Sequence, residues 1–303
     1  MIAALFATAG FTGCATYELT KPAPAQSAPV AVTLSQEELS GWSDLPIGTY
    51  RVPDSHVIIS GHQKGHGAAA AFGLLGMAVA HAANQSAGES AVKGVESTLK
   101  IKLDGPLMAS VRQAVAEESL RGGFTADAGT GTQLVVTPGL VLTYVSDNDV
   151  RPFIVLKAAL LGADKKPLWN TRYIVSTGIS RPLAGDNSWT DNGGAALREN
   201  VQASIDKGVR VMLADVMKPY ARDDNALSAA EGQFPFMKDR FQLTGYKLTE
   251  DDRYFAFVPK IGDVVVFAGV NILDKQDSQV RAATKDDPVA KIVPARASVA
   301  TAP

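Results

Sequence analysis

Residues 133–180 have the sequence QLVVTPGLVLTYVSDNDVRPFIVLKAALLGADKKPLWNTRYIVSTGIS and carry most of the information about the fold. Three segments in it are rich in β-branched and aromatic residues, which predicts strands over residues 133–145, 152–161 and 168–180. The connections, Ser146–Asp149 and Lys165–Pro167, consist of turn-forming residues. Because the connections are short, the three strands are expected to form an antiparallel meander.

Further elements are predicted on both sides of this meander. Val95–Leu103 alternates apolar and polar residues, which is typical of a half-buried strand. A helix is expected from an N-cap at Asp104 to Gly122, and a long amphipathic helix over Gly194–Met217. The order β-α-β-β-β-α predicts an α+β fold, in which two helices cover one face of an antiparallel sheet of about four strands.

The C-terminal third divides into two parts. Residues 241–272 contain more strand-like segments, which either extend the sheet or form a small C-terminal β extension, so that the α+β domain is expected to span residues 95–274. Residues 275–303 mix scattered charges with Ala and Pro, a composition that predicts a disordered tail.

The N-terminal region, residues 35–94, contains a stretch of small and apolar residues from Gly65 to Ala83 that predicts a Gly/Ala-rich helix. Three interpretations remain open: a helix buried in the domain, a helix that spans the membrane, or one that inserts or self-associates through its small residues. Gly73 and Gly76 lie about one turn apart, a spacing that permits close helix pairs and thus a homo-oligomer through residues 67–83.

Cys14 is the single cysteine of the 303-residue chain. It follows an uncharged apolar run, Ile2–Phe11, of the length of a secretory h-region, with the small residues Thr12 and Gly13 before it. The alternative is a free thiol in an N-terminal segment. Phe11-Thr12-Gly13-Cys14 resembles the lipobox of bacterial lipoproteins.

This resemblance implies that residues 1–13 are a signal peptide and that Cys14 carries the lipid. It further implies an anchor on the periplasmic side of the cell envelope, and Ala15 favours the outer over the inner membrane. Several acyl chains on one residue suffice for stable anchoring, whereas one chain is marginal. Residues 14–34, rich in Pro and Ala, are expected to form an extended tether between the anchor and the domain.

Composition and charge exclude some classes of function. The 46% hydrophobic and 20% charged residues are typical of a globular protein, and the mature chain has no cysteine pair for a disulfide. With 29 basic and 31 acidic residues, the chain lacks the basic excess expected of a nucleic-acid-binding protein.

The element order of residues 95–217 resembles the small α+β modules of envelope lipoproteins that assist lipopolysaccharide assembly, transport or peptidoglycan synthesis. The resemblance implies a non-enzymatic accessory or scaffold protein that contacts an envelope protein. The alternative is a periplasmic binding module for a lipid, a glycan or a metal ion, with its pocket between the sheet and the helices.

The sequence contains only weak matches to catalytic and metal-binding motifs. His62 and His66 share one face if their segment is helical, and His56 or Asp54 would supply a third ligand, but no H-E-x-x-H pattern or cysteine pair accompanies them. No G-x-S-x-G element occurs either. We therefore expect no enzyme activity, no cofactor and no metal site.

The loop over residues 181–193 contains a tryptophan among polar residues. Trp189 is expected either to pack onto the sheet or to be an exposed anchor for a partner, together with Arg181 and Asp186. Asp186, Ser188 and Asp191 suggest calcium only weakly, because the order of an EF-hand loop is lacking.

Overall fold

The computed structural model describes residues 19–35, 49–60, 86, 88–125, 131–260 and 265–294. α-Helices span Glu96–Leu99 (α1), Asp104–Ala116 (α2) and Ala195–Met217 (α3). The strands are β1 (Val30–Leu34), β2 (Tyr50–Arg51), β3 (Val57–Ser60), β4 (Phe124–Thr125), β5 (Gln133–Tyr144), β6 (Asp149–Leu161), β7 (Pro167–Ser176), β8 (Arg181–Pro182), β9 (Ser228–Gln233), β10 (Arg240–Glu250), β11 (Tyr254–Pro259), β12 (Val270–Asp274), β13 (Gln279–Ala282) and β14 (Ala290–Val293).

The strands join in one mixed sheet with the order β13-β9-β10-β11-β12-β7-β6-β5-β1-β4. Beyond this path, β3 pairs with β5 and β2, β8 pairs with β6, and β14 pairs with β10. The predicted meander β5-β6-β7 is present and antiparallel. It forms the centre of the sheet, because β12 is added parallel to β7, and β1 and β3 are added parallel to β5.

The predicted α+β fold with about four strands is wrong, because the described residues form a mostly β protein with a 14-stranded mixed sheet. Of the two alternatives for residues 241–272, the structure has the first, since these strands continue the main sheet through β12 and do not form a separate appendage. The pairing of β12 with β7 joins segments about a hundred residues apart, and such long-range parallel pairing leaves no local signal in the sequence.

The predicted strand over Val95–Leu103 is also wrong. Its centre forms the single turn α1, and the strands paired with the free edge of β5 are β1 and β3. Leu99 and Leu103 are both fully buried. Residues four apart face the same side of a helix, and two apart the same side of a strand, so this short pattern fits both structures.

The helices pack on one face of the sheet, with α3 on β6 and β7 and α2 beside α3. Leu156 and Leu160 of β6 belong to the main core below the helices, whereas Phe153 and Val155 belong to a second cluster on the opposite face. Burial of both faces explains why the central strands are nearly continuously apolar.

The segment before β1 packs on the domain, which corrects the prediction of an extended tether over residues 14–34 for residues 19–34, the part that the structure describes. The indole Nε1 of Trp169 donates a hydrogen bond of 2.9 Å to the carbonyl oxygen of Lys21, and the Thr171 hydroxyl donates to the carbonyl of Leu19. Ala23 is buried, and β1 itself pairs with β5. The chain is therefore held on β7 from Leu19 onward.

The predicted tail over residues 275–303 is likewise corrected for residues 275–294, which contain β13 and β14. Asp277 binds two buried arginines from distant strands, Arg151 of β6 and Arg240 of β10. The side chain of Arg151 is 9% exposed and that of Arg240 is 6% exposed. Asp277 and these two arginines hold the segment on the sheet, and composition alone does not reveal such a contact.

One glycine is required by a close approach of two strands. Gly245 lies where β10 changes its pairing from β14 to β11. A Cβ atom at this position would lie 2.1 Å from the carbonyl oxygen of Val258. Only glycine fits there without a shift of the backbone.

Candidate functional site

A groove of about 690 Å³ lies between the C-terminal half of α3 and the strands β10, β11 and β12. It exists because the helices cover β6 and β7, while the sheet continues past them to β12 and β11. Apolar side chains dominate its lining, among them Leu120, Val211, Ala214, Tyr254, Ala256 and Ile272. Grooves of this size and character are typical of binding sites in proteins.

Charged side chains on both sides of the groove are paired. Lys207 of α3 forms an ion pair with Asp251, which follows β10, and its ammonium lies 5.2 Å from the ring centroid of Tyr254. Arg210 of α3 pairs with Glu117 at 2.8 Å. These pairs keep the rim polar while the floor stays apolar.

The pairing with Lys207 contributes to a lowered pKa of Asp251. Partial burial alone would raise the pKa of its carboxyl group, but hydrogen bonds from Lys207 and from the backbone amides of Tyr254 and Arg253 lower it to about 2. Asp251 is therefore ionised at any physiological pH. The Lys207–Asp251 pair stays in place across the groove.

A buried polar cluster fixes the end of the groove near the C-terminus of α3. The fully buried Asp215 accepts hydrogen bonds from the hydroxyl of Tyr173, at 2.9 Å, and from the backbone N–H of Tyr220, at 3.0 Å. The guanidinium of Arg222 lies 3.6 Å from the same carboxylate. Burial, and then the charge of Asp215, raise the pKa of Tyr173 well above its usual value. The cluster holds Tyr220 rigidly where it lines the groove.

The arrangement is suited to binding. The groove is lined by apolar side chains, by charged side chains that are mostly paired, and by a few polar residues such as Tyr220 and Thr249. A surface of this kind can take an apolar segment or an amphipathic molecule, with polar groups at the rim to orient it.

The structure places the predicted partner anchor Trp189 in the core and not on the surface. Its indole is 1% exposed, and its Nε1 donates a hydrogen bond of 2.6 Å to the carbonyl oxygen of Val150. The guanidinium of Arg181 covers the ring at 5.4 Å from its centroid, while Asp186 is exposed on the same loop. The three residues stay near one another, but Trp189 belongs to the packing alternative.

The weak calcium candidates of this loop organise the loop itself. The carboxylate of Asp191 accepts hydrogen bonds from the backbone amides of Asn187 and Asn192. The hydroxyl of Ser188 accepts from the backbone N–H of Asp191.

Several predicted sites lie outside the described residues. These are the signal peptide over residues 1–13, the lipidation site Cys14, the small-residue positions Gly73 and Gly76, and the weak metal candidates His62 and His66. In the described part of the chain, no three His, Cys, Asp or Glu side chains are grouped so as to hold a metal ion. No helix in that part is both long and apolar enough to cross a membrane.

His56, the possible third metal ligand, makes a structural contact. Its Nδ1 accepts a hydrogen bond of 3.0 Å from the backbone N–H of Leu103, and its Nε2 lies 4.0 Å from Asp104. Burial lowers the pKa of the imidazole, although the nearby Asp104 opposes this effect. The neutral ring therefore holds the segment before α2 in place.

This contact predicts a pH dependence of stability. Because the folded state resists protonation of His56, stability is fully present above the ordinary pKa of about 6.5 and falls as the pH drops below it. His56→Asn removes the titrating group but keeps an acceptor. We expect the urea midpoint of the wild type to fall more than that of the variant between about pH 7 and pH 5, where most carboxylates stay ionised. Equal pH slopes for the two proteins would contradict the assignment.

Sequence reasoning missed the groove. The strands that form its floor were predicted, but their position beside α3 depends on the pairing of β12 with β7. The one local signal is the partly buried Tyr246 and Leu248 on β10, which pack against the main core although they lie far from the meander in sequence.

Comparisons with known proteins add little. No family model matches the chain, and no curated protein matches it. Among solved structures, a crystal structure of a Caulobacter crescentus protein described as a candidate lipoprotein matches with 16% sequence identity and a TM-score of 0.26, over 38% of this chain and 80% of that protein. A TM-score of this size carries no argument about fold or function.

Proposed function

We propose that the protein is a lipid-anchored accessory protein of the cell envelope that binds a partner protein through the groove beside α3. The observation that carries the binding role is the apolar floor of the groove beside the ion pairs Lys207–Asp251 and Arg210–Glu117. The anchor rests on the apolar segment and Cys14 of the sequence. Ala15 favours placement in the outer membrane.

The partner is expected to present an apolar segment. A docked segment would cover Val211, Ala214 and Ile272, and its polar flanks would meet Lys207, Arg210, Glu250 and Asp251. A binding surface with an apolar centre and a polar rim gains affinity from the centre and orientation from the rim.

A second candidate function is binding of a small amphipathic molecule such as a lipid. The groove volume of about 690 Å³ favours it, because pockets for small ligands usually measure about 300–1,000 Å³. The same side chains would then contact the apolar part of the ligand.

Ala214→Trp tests both functions, because Ala214 is a half-buried residue of α3 that lines the groove, and the larger side chain would fill it. Ala203→Trp is the matched control, since Ala203 is exposed on the same helix and outside the groove. The lipidated wild type and both variants are purified from native membranes in gentle detergent, and bound proteins and lipids are quantified by mass spectrometry. We expect a near-stoichiometric envelope protein with the wild type and Ala203→Trp, reduced at least ~10-fold with Ala214→Trp, since ~1.4 kcal/mol of lost binding has this effect.

Other outcomes are equally informative. If the wild type retains a small molecule and Ala214→Trp loses it, the groove binds an amphipathic molecule and not a partner protein. Equal recovery of every component from the three proteins would contradict a binding role for the groove.

A further inference from the structure

One end of the sheet, here named the base, is where the N-terminal segment meets the domain. The base is defined by the hairpin turn between β6 and β7, the start of β1 and the C-terminus of α3. Hydrogen bonds from Thr171 and Trp169 fix the carbonyl groups of Leu19 and Lys21 on the first half of β7, close to this turn.

The distance from the base to Cys14 is limited by chain length. Cys14 precedes Leu19 by five residues, and five residues span at most about 18 Å. Thr171, which binds Leu19, pairs with Ala158 of β6. Ala158 lies three residues from the base end of β6 and nine residues from its far end, which corresponds to about 10 Å and about 30 Å. A lipid on Cys14 would therefore reach the base but not the turn at the far end of β6, unless the domain lies flat on the membrane.

The exposed side chains of the base suit a membrane surface. Leu168 is 54% exposed and Met217 is 38% exposed, although both are large and apolar. The exposed charged residues around them are mainly basic: Arg121, Lys165, Lys166 and Lys218 against Glu118 and Asp164. Lys166 pairs with Asp164 at 3.0 Å, whereas Lys165 and Lys218 have no ion-pair partner among the described residues.

The opposite end of the sheet has the opposite character. The turn between β5 and β6 contains Asp147 and Asn148, and Asp149 begins β6. The side chain of Asp147 is 87% exposed and pairs with Lys238. The neighbouring loop adds Asp186 and Asp191. Basic side chains are attracted to the anionic surface of a lipid bilayer, and acidic side chains are repelled by it.

We propose that the base is the membrane-facing surface of the protein and rests on the headgroups of an anionic phospholipid bilayer. The proposal rests on the proposed function, because it requires the lipid on Cys14. Lys165, Lys166 and Lys218 contact the headgroups, and Leu168 and Met217 enter the interface. Met217 and Lys218 also line the groove, so its end near Tyr220 opens next to the membrane. The acidic end points away from the bilayer.

The chain offers a direct test, since Cys14 is its single cysteine and a lipidated Cys14 has no free thiol. Ala163→Cys places one thiol at the β6–β7 turn, and Asn148→Cys places one at the β5–β6 turn, both at exposed positions. Each lipidated variant is labelled with a nitrobenzoxadiazole fluorophore and reconstituted into vesicles of phosphatidylethanolamine and phosphatidylglycerol that carry a headgroup-linked quencher. We expect quenching at position 163 to exceed that at position 148 several-fold.

The charge contribution is tested in the Ala163→Cys background. Lys165→Glu combined with Lys166→Glu should reduce the quenching, because both headgroup contacts become repulsive. Equal quenching at the two positions, or stronger quenching at position 148, would overturn the proposed orientation even if the protein floats with the vesicles. If instead the wild type does not float with the vesicles and mass spectrometry finds Cys14 unmodified, the anchor is refuted, and both proposals with it. The Cys14→Ser variant is the control, because it shows how a chain without the anchor behaves.

Discussion

Asp277→Ala is expected to lower the free energy of unfolding by about 3–5 kcal/mol, because it removes the carboxylate that joins two buried arginines and leaves Arg240 only the more distant Glu231, at 3.8 Å. Asp277 lies 2.5 Å from Nη1 of Arg151 and 3.1 Å from Nη1 of Arg240. Its backbone carbonyl accepts a further hydrogen bond of 2.7 Å from Arg240. The three residues come from β6, β10 and the segment after β12, so the loss would release the C-terminal strands from the centre of the sheet.

Urea unfolding followed by circular dichroism measures this effect. Asp147→Ala is the control, because Asp147 pairs with Lys238 on the surface and its removal should change stability little.

The pH dependence of stability is a second test, because it depends on the pKa of Asp277. Burial would raise this pKa, but Arg151 and Arg240 lower it overall. The stabilisation is therefore present above the ordinary pKa of 3.8 and is lost as the pH falls below that value. Equal stability of Asp277→Ala and Asp147→Ala would show that the arginines find other partners.

Trp189→Ala is expected to cost about 3–5 kcal/mol, the usual range for removal of a large buried aromatic side chain. The indole fills the core at the N-terminal side of α3 and satisfies the carbonyl oxygen of Val150. The variant would leave a cavity below the loop over residues 181–193 and an unpaired carbonyl group on β6. Stability in urea and the near-ultraviolet circular dichroism should both report the loss.

Trp189→Phe separates the two contributions, because it keeps most of the ring volume and removes the N–H donor. We expect a smaller loss than for alanine, of about 1–3 kcal/mol, from the unsatisfied carbonyl and the reduced volume. A Trp189→Ala protein with unchanged stability but lost binding of a partner would contradict the core assignment and revive the surface anchor.

Local patterns in the sequence predicted the elements around the centre of the fold. The strands β5, β6 and β7 and the helix α3 lie close to their predicted positions. Each has a long apolar pattern of one period, and turn-forming residues such as Ser146 and Lys165 separate them. Patterns over ten or more residues leave little ambiguity.

Predictions from short patterns or from composition were less reliable than those from long periodic patterns. The alternation over Val95–Leu103 fits a helical turn as well as a strand, and the structure has the turn α1. The polar composition after Lys275 predicted disorder, but Asp277 there is bound by two arginines from distant strands. The Pro- and Ala-rich segment before β1 was expected to be extended and free, yet Trp169 and Thr171 bind its backbone. Composition does not report which partner a polar group meets in three dimensions.

By itself the sequence determined the central meander and the long helix beside it, and it predicted a lipobox-like motif at Cys14, since each depends on residues close together in the chain. The tertiary structure alone decided the extent of the sheet, the groove and the base. These features arise where β12 pairs with β7, where β1 and β3 pair with β5, and where the segment Leu19–Lys21 is bound on β7. Such contacts join residues far apart in the chain, and their energy depends on shape and burial that no local pattern contains.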